Sequence, residues 1–423
     1  MKTSRIPKFY NLSIDERLEI VKEFAGLTDE DLKIIRNTGN LGDDLANIMI
    51  ENVIGGITYP LSVAVNFKIN GRDYIVPMAL EEPSVVAAAS NAARVMRRDK
   101  GIISIATEPI MIGQIQVVDV PNPYYAKMVI LEHKKEIIDL ANEQDPTLVS
   151  LGGGAKDVEV RILDSTVGPM IVIHLLVDVR DAMGANAVNS MCEKVADYIE
   201  DLTKGRVYLR IISNLADKRL VRSYVRVYKE DIGGEEVVDG IITAWAFADA
   251  DPYRAATHNK GILNGVIAVA LATCQDHRAI EAAAHSYAAR FGWYGPLSTW
   301  EKDEDGNLIG TLEMPMPVGT VGGATRVHPV AKVSLKILGI KSAKELAEIM
   351  GAVGLAQNFA ALRALSTEGI QRGHMKLHAR NLAVMAGATG ELINKVAERM
   401  IKEGKITFDN AKKILEELLS KSA

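Results

Sequence analysis

Residues 251–264, Asp251-Pro-Tyr-Arg254-Ala-Ala-Thr-His-Asn-Lys260-Gly-Ile-Leu-Asn264, put two unlike cations in one short stretch. A guanidinium clamps a carboxylate through paired hydrogen bonds, whereas an ammonium is a compact donor suited to an oxygen that gains charge during a reaction. Arg254 is thus the holding group and Lys260 the reacting one. The apolar run that follows, GVIAVALATC, sets Lys260 near a core, where a buried ammonium requires carboxylate partners. Glu82 and Asp276 are the candidates. Together they would make a carboxylate–lysine–carboxylate cluster in which burial and like charge keep one acid protonated. The bland alternative is a solvated basic turn.

His374 and His378, in GHMKLH, are four residues apart and share one face of a helix. That spacing suits zinc, but the glutamate of an HExxH site is missing and no third ligand stands out. His374, beside Gly373, is better placed as a proton donor carried by a closing lid; a core histidine is the alternative. A second constellation runs His174-x6-Asp181-x-Met183-Gly184-x-Asn186, where glycine at a strand-to-helix turn lets backbone N–H groups approach a phosphate. No GxGxxG follows a strand, so an ordinary dinucleotide fingerprint is absent. Gly152-Gly153-Gly154 reads as a flexible turn. Asp145, before Pro146, can accept from ribose hydroxyls or simply form an Asp-Pro turn.

The elements that must carry these groups are readable. Ser13-x-x-Glu16 is a capping box opening an all-helical arm that runs to Asn52. Alternating SVAVNFKI and DYIVPMAL flank Asn70-Gly71, a hairpin signal. Pro83 suits the first position of the next helix, which would set Glu82 at its mouth. From about Ile110 the pattern becomes strand, helix (124–142), two strands, helix (186–202), strand: a ferredoxin-like βαββαβ unit inserted in a larger domain. Beyond Asn214 come alanine-rich helices at 261–273, 279–291 and 343–365, a hairpin around 303–307 and a glycine loop at 319–323. After Gly387-Ala-Thr-Gly390, two charged amphipathic helices form a small terminal unit. The expected fold is therefore α+β: a large, mainly helical domain (1–109 and 215–376), an inserted cofactor domain (110–214) and a C-terminal helical flap (377–423).

Composition narrows the functions. With 423 residues, 48% hydrophobic and 24% charged, the chain has ordinary globular texture and room for two or three domains. Its formal charge of −5 offers no general field for nucleic acid or an anionic membrane. No apolar stretch reaches the roughly 20 residues needed to span a bilayer, and the start lacks a signal-peptide pattern. Cys192 and Cys274 each fall in a helical pattern and read as buried, reduced thiols of a cytoplasmic protein.

Three separated segments, HLLVDVRDAMGAN (174–186), VGTVGGAT (318–325) and ALSTEGIQRGHMKL (364–377), resemble in order the signature motifs of 3-hydroxy-3-methylglutaryl-CoA (HMG-CoA) reductases. Glu51-Asn-Val-Ile-Gly55 resembles that family's dimer-contact motif. DPYRAATHNKG and the lack of a preceding membrane region make the likeness greatest to the class II branch of bacteria and archaea. The resemblance implies reduction of HMG-CoA to mevalonate and CoA by two nicotinamide cofactors, through bound mevaldehyde. Carried over, Lys260 would stabilise each oxyanion, Glu82 supply a proton, Asp276 tune the lysine and His374 protonate the departing thiolate. Arg254, Ser84 and Asn264 would orient the substrate. Asp145 would meet the adenosine ribose, while Asp181, Met183, Gly184 and Asn186 lie near the pyrophosphate and nicotinamide. A carboxylate at 145 favours NADH over NADPH by charge, unless Lys156, Arg180 or Lys194 offsets it. The resemblance further implies a homodimer or an assembly of dimers with sites between subunits, and no metal. The readings set against it are a zinc hydrolase built on His374 and His378, and a non-catalytic CoA-binding protein.

Overall fold

The capping box forms: Ser13 N donates to Glu16 Oε2 at 2.7 Å and Glu16 N to Ser13 Oγ at 3.3 Å, opening α1 (Ile14–Ala25). This is seen in a computed structural model that describes residues 12–25, 27–36, 38–367 and 370–420, without the side chains of 21, 24, 25, 31, 34, 35, 40 and 370–377. Helices α2 (Asp29–Ile35) and α3 (Gly42–Met49) complete the arm. The hairpin follows as expected, β1 (Leu61–Ile69) pairing β2 (Arg72–Ala79) around Asn70 and Gly71, both at positive φ. Helix α4 (Val85–Val95) starts later than the sequence suggests. Ser84, at φ +76°, turns the chain into it, so Pro83 stands outside the helix rather than at its first position.

After β3 (Ile103–Ala106), the βαββαβ unit comprises β4 (Ile110–Val118), α5 (Pro123–Glu132), α6 (Lys134–Asn142), α7 (Pro146–Ser150), β5 (Gly154–Leu163), β6 (Met170–Asp178), α8 (Ala185–Lys194), α9 (Ala196–Thr203) and β7 (Arg206–Ile212). Its antiparallel sheet has the order β5-β6-β4-β7. Each expected long helix is broken once. His133 folds its ring Nδ1 to within 2.9 Å of Val129 O at the first break, and Val195, at φ −91° and ψ −5°, closes α8 and opens α9 at the second. Met111, Ile130, Ile173, Val188 and Ile199 centre a core built from residues of this unit and its immediate flank.

The remaining elements are β8 (Leu220–Val227), α10 (Lys229–Ile232), α11 (Glu235–Ala250), α12 (Pro252–Ala272), α13 (His277–Ala288), β9 (Ser298–Lys302), β10 (Leu308–Pro315), α14 (Gly323–Val327), α15 (Pro329–Leu338) and α16 (Ala343–Ser366). An antiparallel sheet of order β3-β8-β10-β9 packs on α16, which is buried along most of its length and lies against α12. Helix α12 begins nine residues before the expected Gly261. Asp251 caps it by accepting from the backbone N–H of Tyr253 and Arg254, with Pro252 in its first turn. Lys260 therefore sits inside this helix rather than leading into it. Cys192 is buried in α8, but Cys274 is half-buried at a left-handed corner beyond α12, not in a helix as expected. Helices α17 (Ile370–Met385), α18 (Glu391–Glu403) and α19 (Phe408–Ser420) gather around Leu382, Val396, Met400 and Ile414 as a small core of their own.

Candidate active site

Two clefts divide the expected site residues. The smaller, about 240 Å³, lies where α4, α12 and α16 meet and is lined by Glu82, Ser84, Arg254, Lys260 and Asn264. Lys260 Nζ donates to Glu82 Oε2 at 2.9 Å, joining positions 178 residues apart in the chain. Their side chains are 60% and 40% exposed, so the ammonium is not buried within a single chain as its apolar neighbours suggested. GVIAVALATC turns its apolar face to the core while Lys260, nearer the helix start, looks outward. An ion pair so exposed contributes little stability; its interest is chemical. Burial pushes the Arg254 guanidinium below its usual value without threatening its charge. Ser84 holds the strained left-handed backbone, and its buried hydroxyl has no protein partner among the described residues.

The larger cleft, about 810 Å³, lies between the βαββαβ unit and the corner after α12. Asp145, Met183, Gly184 and Asn186 line it, together with Gln275, Asp276 and the loop 319–325. Gly184 caps α8 at φ +104°, where a Cβ would lie 2.5 Å from Val179. Gly319 runs so close to the same turn that a Cβ would meet Met183 N at 2.5 Å. Sequence reasoning passed over two side chains that hold this arrangement. Gln275 accepts from Gly319 N at 2.8 Å and donates to Thr325 Oγ1 at 3.2 Å. Buried Arg219 donates to Ala182 O, Met183 O and Val318 O, and burial lowers it to about 10. Nothing local in the chain announces either residue, since apart from Thr273 O, to which Gln275 also donates at 3.2 Å, the side-chain partners are remote in sequence.

Several expected residues stand elsewhere. Asp181 is absent from the cleft wall; its Oδ1 accepts from Ala343 N at 2.7 Å at the head of α16, and its carbonyl accepts from Thr320 N. It ties the βαββαβ unit to the head of α16 and to the loop at Thr320. Asp145 lines the cleft while its Oδ1 caps α7 by accepting from Leu148 N, as the turn reading expects. His174 faces Gln114 across the sheet at 3.0 Å. Asp276 does not reach Lys260. It caps α13 by accepting from Ala279 N and pairs with Arg278 at 3.3 Å. Gln275 N donates to Ala270 O at 2.8 Å, pinning this corner ten residues past Lys260, about 15 Å along the helix axis at 1.5 Å per residue. The expected three-group cluster is not assembled within one chain. His374 lies on α17, but its side chain falls outside the described residues; His378 is exposed. Among the described residues no three His, Cys, Asp or Glu side chains gather as a metal site, and no helix is long and apolar enough to cross a membrane.

Known proteins of similar sequence and structure agree on one family. Residues 13–379 match the hydroxymethylglutaryl-coenzyme A reductase family. A 3-hydroxy-3-methylglutaryl-coenzyme A reductase of Archaeoglobus fulgidus is 61% identical over 99% of this chain and 95% of its own length. A probable reductase of the same name from Borreliella burgdorferi is 33% identical over 97% and 95%. The class II 3-hydroxy-3-methylglutaryl-CoA reductase of Streptococcus pneumoniae, solved bound to NADPH in open conformations, superposes with a TM-score of 0.76 at 40% identity, covering 96% of this chain and all of that one. The chain belongs to the hydroxymethylglutaryl-coenzyme A reductase family, on its class II branch.

Proposed function

We propose that this protein reduces (S)-HMG-CoA to (R)-mevalonate and free CoA with two NAD(P)H, through mevaldehyde kept in the site. The observation that carries the reading is the 2.9 Å pair of Lys260 Nζ and Glu82 Oε2 in a cleft that also holds Arg254, Asn264 and the unpartnered Ser84 hydroxyl. The residues fit a nicotinamide cofactor in the larger cleft: its floor is the glycine turn at 183–186 and the close-packed loop at Gly319. When bound, that cofactor supplies hydride. Asp145, Met183, Gly184 and Asn186 hold it.

Arg254, with Ser84 and Asn264, fixes the substrate carboxylate and hydroxyl. Lys260 Nζ donates to the thioester oxygen as it becomes an oxyanion, and again when the aldehyde oxygen does. On collapse of the first adduct the C–S bond breaks, and His374 gives its proton to the thiolate, which cannot then re-add to the aldehyde. Glu82 delivers the proton that converts the second oxyanion to the alcohol. Asp276 joins this set from a second subunit, setting the charge state of the lysine and acid. Exposed Ile48 and Ile50 just before the dimer-like motif, with Ile57 and Tyr59 just after it, supply apolar surface for a homodimer or an assembly of dimers. Residues 1–109 with 215–376 act as the substrate-binding domain, 110–214 as the nucleotide domain and 377–423 as the flap bearing on His374. The reverse, catabolic direction uses the same groups, and the protein works in the cytoplasm.

NADH is the preferred form. Lys156 is engaged with Gly152 O and Gly153 O, Arg180 with Asp178 and Lys194 with Glu143, and none lines the cleft that Asp145 faces. Arg278, which does line it, is paired with Asp276. A 2′-phosphate would thus meet the Asp145 charge uncompensated. The test is consumption of reduced cofactor with HMG-CoA alongside titration of released thiol. Two cofactors oxidised per thiol is the expected result; no oxidation, or one per thiol, refutes the proposal.

A further inference from the structure

The Lys260 cleft contains more orphaned polar atoms than the proposed machinery uses. Besides Ser84 Oγ, His258 Nδ1 and Gln357 Oε1 line it, buried and without a partner among the described residues. His258 is 2% exposed and Gln357 5%. A buried acceptor left unmade costs free energy unless a ligand satisfies it, so such a set in one cleft marks where a donor is received.

The neighbours of His258 fix its tautomer. Its Nε2 lies 2.7 Å from Ser298 Oγ, Ser298 Oγ donates to Asn358 Oδ1 at 2.8 Å, and Trp300 Nε1 donates to that same oxygen at 2.7 Å. Ser298 has one hydroxyl hydrogen and gives it to Asn358, so its oxygen accepts from His258. The ring proton is therefore on Nε2. A longer approach of the Asn358 amide nitrogen to Nε2, 3.2 Å, cannot be a hydrogen bond at the same time, and the shorter contact prevails. Nδ1 is left as a bare lone pair. Burial, with the charge of Arg254 adding to it, pushes the ring down to about 3, which keeps it neutral in ordinary buffers and unlike a proton donor.

The acyl group of the proposed substrate carries an ionised carboxylate and a thioester, both acceptors. Its single donor is the hydroxyl on C3. Arg254, Lys260 and Asn264 supply donors to the acceptors; the cleft's bare acceptors have only that hydroxyl to serve on the acyl group. We infer that His258 is a substrate-recognition residue whose Nδ1 accepts a hydrogen bond from the C3 hydroxyl, with Gln357 beside it, so that the cleft selects a 3-hydroxyacyl thioester over its deoxy counterpart. This rests on the proposed substrate.

The test compares dissociation constants of HMG-CoA and 3-methylglutaryl-CoA for the intact oligomer. Wild type is expected to prefer the hydroxylated ligand by about tenfold or more, because a polar site rejects an analogue that leaves its groups unpaired. His258→Gln keeps an amide donor for Ser298 but loses the cleft acceptor, and its preference should fall to within about threefold. His258→Asn, whose amide oxygen comes near the Nδ1 position, should retain the preference. No preference in wild type, an unchanged preference in H258Q, or its loss in H258N overturns the inference; the last two are independent should one variant fail to fold. Failure of the wild type to oxidise cofactor with HMG-CoA, while still preferring the hydroxylated ligand, would remove the proposed reaction and leave the recognition standing.

Discussion

Helix α12 separates two groups that the proposed chemistry needs together, and the separation can be tested by complementation. Lys260 lines one cleft and Asp276 the other, about 15 Å apart along the helix. If each site takes Lys260 from one subunit and Asp276 from its partner, Lys260→Ala and Asp276→Ala should each cost at least about a hundredfold in turnover. A heterodimer of the two variants holds one site with both lesions and one with neither. Co-expressed chains, purified through two different tags, should therefore recover about half of wild-type activity per dimer, and an unfractionated equal mixture about a quarter. The assay is HMG-CoA-dependent oxidation of reduced cofactor, with wild type carrying both tags as the reference. A purified heterodimer as inactive as its parents would refute the argument, because a lysine and acid acting within one chain leave both of its sites broken.

Four further outcomes are expected. Asp145→Asn should move the ratio of kcat/KM for NADH and NADPH toward NADPH by about tenfold, through loss of charge repulsion; an unchanged ratio places the discrimination elsewhere. Gly319→Ala should raise the cofactor KM by about tenfold or more, because its Cβ would press on the backbone of Met183 and Ala182, and isothermal titration would read this directly. Burial pushes the Cys192 thiol up to about 12 from 9.0, so the folded protein should resist iodoacetamide at that position at pH 8 until denatured. The same shift has a sign. The folded state holds the thiol proton more tightly, so this contribution to stability is complete below about pH 9 and declines as pH rises toward 12, which equilibrium unfolding at pH 8 and 10.5 would register.

Local signals were legible where local physics decides. The Ser13–Glu16 box, the Asn70-Gly71 hairpin, the Asp303–Asn307 turn and the βαββαβ order all depend on residues a few positions apart. The breaks at His133 and Val195 were not, because apolar spacing continues through both. Pro83 misled because the decisive residue is Ser84, whose left-handed backbone no propensity for serine foretells. Among site residues, Lys260 and Arg254 were visible by chemistry. His258 was not, since its meaning comes from Ser298 and Asn358, 40 and 100 positions away. The sixteen-residue step from Lys260 to Asp276 runs along more than half of a 21-residue helix, a length that itself separates the two in one chain.

Because one uninterrupted rod carries Lys260 in its first half and delivers the Asp276 corner beyond its end, the number of residues between them matters as much as their identity. One residue added within 261–271 would swing the far end by about 100° and advance it about 1.5 Å, turning Asp276 and Gln275 away from the 319–325 loop. Substitutions on the outer face of α12 leave that phase intact. The outer face of this stretch thus admits substitution, while its length admits neither insertion nor deletion.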